Sequence, residues 1–489
     1  MMGAHLPILP TLLALAGALL VPIAALAGRR AAEGVAVVAA GAAGLAALAG
    51  VAEVAGGGVR RYAVAGWPAP WGIELVLDPL SAFTSAAIAC VAAVALAGAG
   101  PAARAAFGGA APRFYALALV VLTGLLGITV SGDLFNVFVF LEISSIAGYA
   151  LVASGAAPAL AAGFRYLVLG TVGASFYLLG VGLLYALTGT LNMGDLAARL
   201  PAVSASPLFA GGVGFIVVGL AIKIALFPLH GWLPDAYTHA PPPVAALLPA
   251  VATKAPAYAL ARTLLYVIRP DELPVATALA WAGAGAVVAG GLFALRQTDA
   301  RRLLAYSSVS QMGYIVLGVG LANGAALTGA YLHVLNHAVM KASLFLALGA
   351  LLLDARGPSL SALSLASRRP LIGGCMVVAA LSMVGVPPAA GFFSKWYLLQ
   401  GAIEAGQPVL VAAILLGSLL AAVYMYRLTE AVWFGPEDAR AAGGRAEAAP
   451  AVLAALLVLA VATLGVGLGN AVIVDRLLAP AATATATAR

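Results

Sequence analysis

The sequence predicts an all-α protein that crosses a membrane many times. Of its 489 residues, 63% are hydrophobic and only 9% are charged, and the mean hydropathy is +1.06. A soluble domain carries roughly 25% charged residues, whereas a membrane helix needs about 20 predominantly apolar residues in succession. Because such stretches make up nearly the whole chain, most of it must lie in lipid.

About fourteen stretches meet this requirement. In chain order they cover approximately residues 6–27, 31–53, 79–99, 114–131, 134–154, 163–188, 209–229, 243–267, 273–295, 303–321, 324–352, 371–399, 405–434 and 449–469. The longer connections, at about 54–78, 189–208, 353–370 and 435–448, are too short for a soluble domain. The tail from Ala481 to Arg489 alternates Ala and Thr, and we expect it to be frayed.

The first stretch ends in Ala25-Leu26-Ala27, which resembles a signal-peptide cleavage site. No Lys or Arg precedes it and a second apolar stretch follows at once, so we interpret it as the first membrane helix. With fourteen helices, the odd-numbered loops carry about twice as many arginines as the even-numbered loops and the C-terminal end. Positive residues are enriched in cytoplasmic loops. The chain is therefore predicted to place both termini outside the cytoplasm of a bacterial or archaeal cell membrane.

Two segments interrupt the apolar pattern with proline and glycine. The first is Phe227–Asp235 (FPLHGWLPD), which the prolines at 241–243 follow, and the second is Gly385–Gly391 (GVPPAAG). Proline cannot donate in the helix ladder, and non-helical backbone at membrane depth requires protein or a water-filled cavity to satisfy it. Such a pair of interrupted segments points to a transport site. The alternative is two ordinary turns between helices.

The chain has only four lysines, and all lie within predicted spans: Lys223, Lys254, Lys341 and Lys395. A lysine at a helix centre costs about 2.5–3.5 kcal/mol on insertion scales. Pairing, water or loss of the proton must offset this cost, and lysine can lose a proton where arginine remains charged. The lysines are therefore predicted to carry protons. The alternative for any one of them is that it reaches up to the interface from a helix end.

Glu142 lies near the middle of the fifth span, with no Lys or Arg close in sequence. Its partner must come from another helix, and Lys223 is our preferred partner. A Glu–Lys pair that opens and closes would act as a proton switch, and a static salt bridge is the alternative. Asp133, at the start of the same helix, is predicted to cap it and could also line an entrance.

His333, Asn336, His337 and Lys341 share one face of the eleventh span, because they fall at i, i+3, i+4 and i+8. A proton relay through the histidines is favoured over structural histidines or zinc, since no Cys, Asp or Glu nearby completes a zinc site. His230, Asp235 and His239 accompany the first interruption and could serve as an entrance. For the two histidines of that segment, a plain loop position is an equal alternative.

No phosphate-binding loop, dinucleotide fingerprint or iron–sulfur cysteine pattern occurs, so the sequence predicts no cofactor and no redox site. Cys90 and Cys375 are far apart, and we interpret both as small buried hydrophobic residues. The net charge of +7 is spread singly or in pairs, so it indicates topology and not nucleic-acid binding.

Three motifs resemble those of one family. They are GDLFNVFVFLE at 132–142, the stretch from Lys223 to Lys254 with its FPLHGWLPDA core, and VPPAAGFFSK at 386–395. They look like the antiporter-like membrane subunits shared by respiratory complex I, membrane-bound hydrogenases and Mrp cation/proton antiporters. The first motif looks most like the Mrp D subunit. The resemblance covers residues from about 75 to 430.

The resemblance implies fourteen helices with two inverted five-helix repeats and broken helices 7 and 12. The implied division is 1–113 for helices 1–3, 114–267 for the first repeat (helices 4–8), 268–434 for the second (helices 9–13) and 435–489 for helix 14 and the tail. By motif position, Glu142, Lys223, Lys254 and Lys395 match the family's ionisable residues in helices 5, 7, 8 and 12. Pro249 and Pro256 beside Lys254 depart from the usual pattern.

The resulting hypothesis is a proton-translocating subunit of a multisubunit Na⁺/H⁺ antiporter, with other membrane subunits as partners. Its proton path runs through a set of residues that the sequence singles out: Glu142, Lys223, Lys254, His333, His337, Lys341 and Lys395. The first alternative is the pump subunit of an NADH:quinone oxidoreductase or a membrane-bound hydrogenase, in which this chain itself transfers no electrons. The second alternative is a stand-alone solute transporter.

Overall fold

The computed structural model describes residues 2–55, 58–269, 273–352, 359–360, 369–434 and 448–479. The tail from Ala481 onwards, which we expected to be frayed, lies outside these residues, as do most of the connections predicted at 353–370 and 435–448. So do five of the arginines in the topology prediction, namely Arg356, Arg368, Arg440, Arg445 and Arg489.

The first half of the described chain contains twelve α-helices and one β-hairpin. They are α1 (Leu9–Ala27), α2 (Arg29–Val54), β1 (Arg60–Ala63), β2 (Glu74–Leu77), α3 (Pro79–Gly98), α4 (Gly100–Phe107), α5 (Ala111–Val130), α6 (Leu134–Ala153), α7 (Ala157–Thr188), α8 (Met193–Arg199), α9 (Pro207–Ile224), α10 (Leu233–His239), α11 (Pro242–Val251) and α12 (Lys254–Arg262). A π-helical segment, Thr263–Ile268, extends α12.

The second half of the described chain is helical throughout. Its helices are α13 (Val275–Leu295), α14 (Ala300–Leu321), α15 (Gly324–Leu352), α16 (Pro370–Val384), α17 (Ala390–Glu404), α18 (Pro408–Phe434), α19 (Pro450–Leu468) and α20 (Asn470–Ile473). Thirteen helices in the described residues are long and apolar enough to cross a membrane. The pair α16 and α17 makes up a further, interrupted crossing. Each of the fourteen predicted spans therefore consists mainly of helix, and the chain is a multi-pass membrane protein.

Short polar caps and prolines fix where several helices begin. Asp78 and Ser81 form a reciprocal capping box at the start of α3, and Asp133 Oδ1 accepts the Asn136 amide at 2.8 Å at the start of α6. Asp299 accepts the amides of Arg301 and Arg302 at the start of α14. Each cap satisfies amides that have no partner within the helix, so the cap predicted at Asp133 is present.

The loops gather on two opposite faces. On one face, β2 adjoins the turns before α6 and α8, because Leu75 pairs with Ser131 and Asp133 with Asn192. We call this the hairpin face. On the other, Asp299 pairs with Ser359, and Arg104 bridges to Glu33 at 2.5 Å. Among the described residues, the turns before α6 and α8 thus meet the hairpin, whereas the contacts on the opposite face join α4 to the start of α2 and the turn before α14 to Ser359. This is the alternation that fourteen crossings predict.

The most enclosed helices lie in the centre of the molecule. In the apolar windows of α14, α15 and the α11–α12 segment, 94% of the residues are buried, compared with 33% in α1 and α19 and 39% in α7 and α18. A helix that is buried all round lies in the interior of the bundle. These central helices carry Lys254 and Lys341, so neither side chain reaches lipid or a membrane surface.

Both predicted interruptions are present, and the structure adds a third. Helix α9 ends at Ile224, where Ala225 takes a left-handed conformation with φ of 59°. Helix α16 ends at Val384, where Gly385 takes a left-handed conformation with φ of 96°. The third separates α11 from α12 at Ala252 and Thr253, within the span predicted as one helix at 243–267. Proline at 249 and at 256 explains it, since each removes a donor from the ladder.

Candidate functional site

The predicted contact between Glu142 and Lys223 is present. Lys223 lies in the last turn of α9, and its ammonium donates to Glu142 Oε1 at 2.9 Å, Ser145 Oγ at 2.8 Å and Tyr149 Oη at 3.2 Å. All three acceptors lie on one face of α6, at i, i+3 and i+7. Since the Lys223 side chain is only 4% exposed, these acceptors replace the water that an ammonium would otherwise bind.

Aromatic side chains brace the interruption next to Lys223. Trp232 stacks on Tyr166 with ring centroids 4.0 Å apart, and Tyr166 contacts Tyr149 edge to face. The Trp232 indole donates to the Ile222 carbonyl at 2.8 Å, which also accepts the amide of Ala225 at the end of α9. The interruption is therefore held in one geometry, which positions Lys223 beside α6.

Glu142 differs from the other residues of the predicted proton path because it lies on the outer face of α6. Its side chain is 22% exposed. Its neighbours on this outer face are also exposed, to 44% for Phe135, 37% for Val139 and 59% for Ile146. A carboxylate beside apolar groups at membrane depth is costly unless it is paired. Lys223 supplies that pairing from the protein side.

Lys254 and Lys341 lie in the centre and are fully buried. Lys254 donates to the Pro249 carbonyl at 2.5 Å and to Thr253 Oγ1 at 3.4 Å. Lys341 donates to the Leu304 carbonyl at 2.7 Å and to Ser307 Oγ at 2.6 Å. Neither pairs with a carboxylate among the described residues. Backbone carbonyls and hydroxyls solvate both nitrogens, and such groups accept from an ammonium or an amine alike.

The polar face predicted on α15 is present and completely buried. His333 and His337 stack with centroids 6.2 Å apart and an interplanar angle of 7°. His333 Nδ1 lies 2.9 Å from Ser394 Oγ, and its Nε2 lies 3.0 Å from Gln311 Oε1. His337 lies one helical turn before Lys341 on the same face, and both of its ring nitrogens are buried without a hydrogen-bond partner among the described residues. The two histidines thus lie between Lys341 and the contact with α17.

Lys395, at the second interruption, is the last member of the series of titratable residues that we call the row: Glu142, Lys223, Lys254, Lys341, His337, His333 and Lys395. Its ammonium donates to the Met383 carbonyl at 2.8 Å and to the Val384 carbonyl at 3.1 Å, and it lies 4.8 Å from the centroid of the Tyr314 ring. A cation is favoured at a helix C-terminus, where the last carbonyls lack helical donors. Ser394, which contacts His333, directly precedes Lys395 in the chain. The ring of Tyr314 links Lys395 to His333, because it lies 4.8 Å from the Lys395 ammonium and 5.6 Å, between ring centroids, from His333.

The residues predicted as an entrance occupy different surroundings. Asp235, in α10, pairs with Arg165 at 2.5 Å and with Arg302 at 3.0 Å, which ties α10 to α7 and α14. His230 lies among the rings of Phe227, Phe293 and Tyr306, and His239 ends α10. Asp133 caps α6 on the hairpin face. Asp235 and the histidines accompany the first interruption, and Asp133 is separate from them.

Several partners in this row escaped the sequence analysis. Ser145, Tyr149, Ser307, Gln311 and Ser394 are neutral, and neutral polar residues are common in membrane helices. The usable signal was their spacing from a charged residue: Ser145 and Tyr149 follow Glu142 at i+3 and i+7, which places them on its helical face. No comparable signal links Ser307 and Gln311 of α14 to α15.

Lys223, Lys254 and Lys395 lie at the three interruptions of this polytopic bundle, and His333, His337 and Lys341 lie on α15. Buried ionisable groups of this kind are typical of one class of membrane proteins, those that move protons or ions. A family model described as NADH:quinone oxidoreductase/Mrp antiporter, TM, matches residues 131–421. The chain belongs to this family.

The chain is similar both to subunits of NADH-quinone oxidoreductases and to subunits of Na(+)/H(+) antiporters. The N subunit of the NADH-quinone oxidoreductase of Desulforudis audaxviator (strain MP104C) is 46% identical, over 86% of each chain. The D subunit of the Na(+)/H(+) antiporter of Bacillus subtilis (strain 168) is 29% identical, over 78% of this chain and 77% of the relative.

Two solved structures share the fold along nearly the whole chain. A chain of the Mrp complex from Dietzia sp. DQ12-45-1b has a TM-score of 0.86 at 29% identity, covering 99% of this chain and 97% of that one. A chain of the membrane-bound sulfane sulfur reductase, an archaeal respiratory membrane complex, has a TM-score of 0.90 at 31% identity with the same coverage. Both belong to multisubunit membrane complexes.

Proposed function

We propose that this chain translocates protons as a membrane subunit of a multisubunit Na⁺/H⁺ antiporter. Protons enter at Glu142 and Lys223, cross through Lys254 and the His337–Lys341 face, and leave past His333 at Lys395. The observation that carries the proposal is the burial of four lysines of which only one, Lys223, has a carboxylate partner among the described residues. Buried ionisable groups of this kind are expensive in a membrane and mark proton or ion pathways.

A second function rests on a specific similarity. The 46% identity to the N subunit of an NADH-quinone oxidoreductase favours a pump module driven by redox chemistry in partner subunits. In that assembly the row would move protons in the same way, while the driving reaction would lie elsewhere. The genes next to this one distinguish the two assemblies. Genes for small antiporter subunits would support the first, and genes for hydrogenase-like or quinone-reducing subunits would support the second.

Replacing Lys395 by Ala tests the proposal. The variant lacks the titratable group at the α16–α17 interruption, so proton exchange driven by Na⁺ or by the redox substrate falls to the level of empty vesicles. The measurement is the change in internal pH of vesicles that contain the assembled complex, with partner subunits quantified by co-purification. Glu404→Gln is the matched control, because Glu404 is exposed at the end of the same helix. Wild-type exchange by an assembled Lys395→Ala complex would contradict the proposal.

The arginine bias of the loops supports an orientation with the hairpin face outside the cytoplasm. Both termini then lie outside as well. Ala205 and Ala156 are exposed in successive loops on opposite faces, so they form a matched pair. In a chain with Cys90 and Cys375 replaced by Ser, a membrane-impermeant maleimide added to intact cells is expected to label Ala205→Cys and not Ala156→Cys. The reverse labelling would invert the orientation.

A further inference from the structure

Helix α14 packs beside the part of the row that α15 and α17 carry. Ser307, Gln311 and Tyr314 fall at i, i+4 and i+7, so they share one face. They contact Lys341, His333 and Lys395 respectively, with distances of 2.6 Å, 3.0 Å and, to the ring centroid, 4.8 Å. A single helix face without any charge therefore contacts three titratable members of the row.

Gln311 is the residue of this face that can determine the tautomer of His333. It is fully buried. Its amide oxygen lies 3.0 Å from His333 Nε2 and its amide nitrogen 3.4 Å from the Tyr424 hydroxyl. A neutral histidine has one N–H and one acceptor nitrogen, and the groups around it decide which nitrogen carries the hydrogen.

On the other side of His333, Asn336 determines the direction of its own hydrogen bond with Ser394. Its amide nitrogen lies 2.7 Å from the Ala390 carbonyl and 3.1 Å from Ser394 Oγ. A backbone carbonyl can only accept, so the nitrogen and not the oxygen of Asn336 must face this group. Asn336 therefore donates to Ser394, and the Ser394 oxygen acts as an acceptor towards it.

The hydrogen of Ser394 then has two acceptors within reach. His333 Nδ1 lies at 2.9 Å and the Gly391 carbonyl at 3.1 Å. When Ser394 donates to Nδ1, the hydrogen of neutral His333 lies on Nε2 and is donated to Gln311 Oε1, while Gln311 donates to Tyr424. In this arrangement each contact of His333 and Gln311 joins one donor to one acceptor, while Ser394 gives up its alternative bond to the Gly391 carbonyl. The opposite tautomer would require Gln311 to turn its amide by half a rotation.

We propose that Gln311 is a positioning residue that keeps neutral His333 in the Nε2–H form, so that Nδ1 is the nitrogen open to the next proton. Nδ1 faces Ser394 and the Lys395 end of the row, and Nε2 faces α14. His333 thus takes up and returns its proton on the side of the second interruption. The role in transport rests on the proposed function, whereas the tautomer itself does not.

The test is the nitrogen spectrum of His333 in three variants of the assembled complex. Histidine labelled with ¹⁵N distinguishes the two tautomers by solid-state magnetic resonance, and a His333→Ala sample identifies the signals. The wild type is expected to show Nε2–H. Gln311→Glu keeps an acceptor oxygen and keeps this form, whereas Gln311→Leu, similar in size, gains the Nδ1–H form. Ser308→Ala is the control, because Ser308 Oγ donates only to the Leu304 carbonyl of its own helix.

Proton transport by the same samples separates the two proposals. Removing the hydrogen-bond partner that orients a metal-binding histidine costs about 10- to 100-fold in activity. By analogy, Gln311→Leu is expected to slow exchange about tenfold or more. Gln311→Glu should retain most of it. A wild-type Nδ1–H signal, or a Gln311→Leu spectrum identical to the wild type, overturns the positioning role. A wild-type complex that moves no protons overturns the proposed function and leaves the tautomer assignment standing.

Discussion

Lys223→Met is expected to abolish proton transport and to destabilise the chain, whereas Glu142→Gln/Lys223→Met regains the stability and not the transport. The single variant leaves Glu142 without its partner at 2.9 Å. Removing one member of a buried ion pair costs on the order of 3–5 kcal/mol, while replacing both members is often nearly neutral. A static bridge would contribute only stability, so the double variant distinguishes a bridge from a proton switch.

Two measurements on the same samples decide this outcome. Denaturant unfolding in micelles gives the free energy of unfolding, and vesicles that contain the assembled complex give the rate of proton exchange. Arg199→Met/Asp195→Asn is a suitable control, because that i,i+4 pair lies on the hairpin face in α8 and is about half exposed at Arg199. Exchange at the wild-type rate in the double variant would show that the pair has no part in transport.

Gly391→Ala is expected to destabilise the packing of α17 on α16 at the second interruption. A Cβ at Gly391 would overlap the Ser382 carbonyl oxygen, and the Gly391 amide donates to Ser382 Oγ at 3.0 Å. The clash is with backbone, so it cannot be relieved by turning a side chain. Overpacking of this kind costs about 1–3 kcal/mol or more, and the shift of α17 would also displace Lys395 from α16.

The matched control is Gly374→Ala, in α16 itself. No atom lies within 4 Å of the position that its Cβ would take. Gly391→Ala should therefore lower the unfolding temperature and the yield of assembled complex, and Gly374→Ala should leave both near the wild type. Equal stability of the two variants would show that α17 packs less closely on α16 than the structure describes.

Much of the architecture could be predicted because membrane helices are encoded by composition. Fourteen apolar stretches correspond to fourteen crossings, and the two Pro/Gly segments correspond to two interruptions. The third interruption was not predicted, although Pro249 and Pro256 were noted, because prolines within membrane helices are often accommodated by neighbours. The inverted repeats and the domain boundaries drawn from the family resemblance remain predictions.

The lysines and their helical faces could be read from the sequence, but their neutral partners could not. The requirement that a buried carboxylate be paired limited the partners of Glu142 to a few residues, of which Lys223 was the preferred one. Placing Gln311 beside His333 needed the packing of α14 on α15, which no periodicity specifies. Asp235 was predicted as an entrance from its place in the motif, and its two arginine partners became visible only when three helices were assembled.

A membrane that stores energy as an ion gradient must not leak, and interrupted helices are the weak points of such an insulator. Exposed carbonyls at membrane depth would attract a file of water that also admits ions. Here the carbonyl of Ile222 is occupied by the Trp232 indole and those of Met383 and Val384 by Lys395. These side chains occupy carbonyls that water could otherwise bind at two of the three interruptions, which limits the entry of a file of water there.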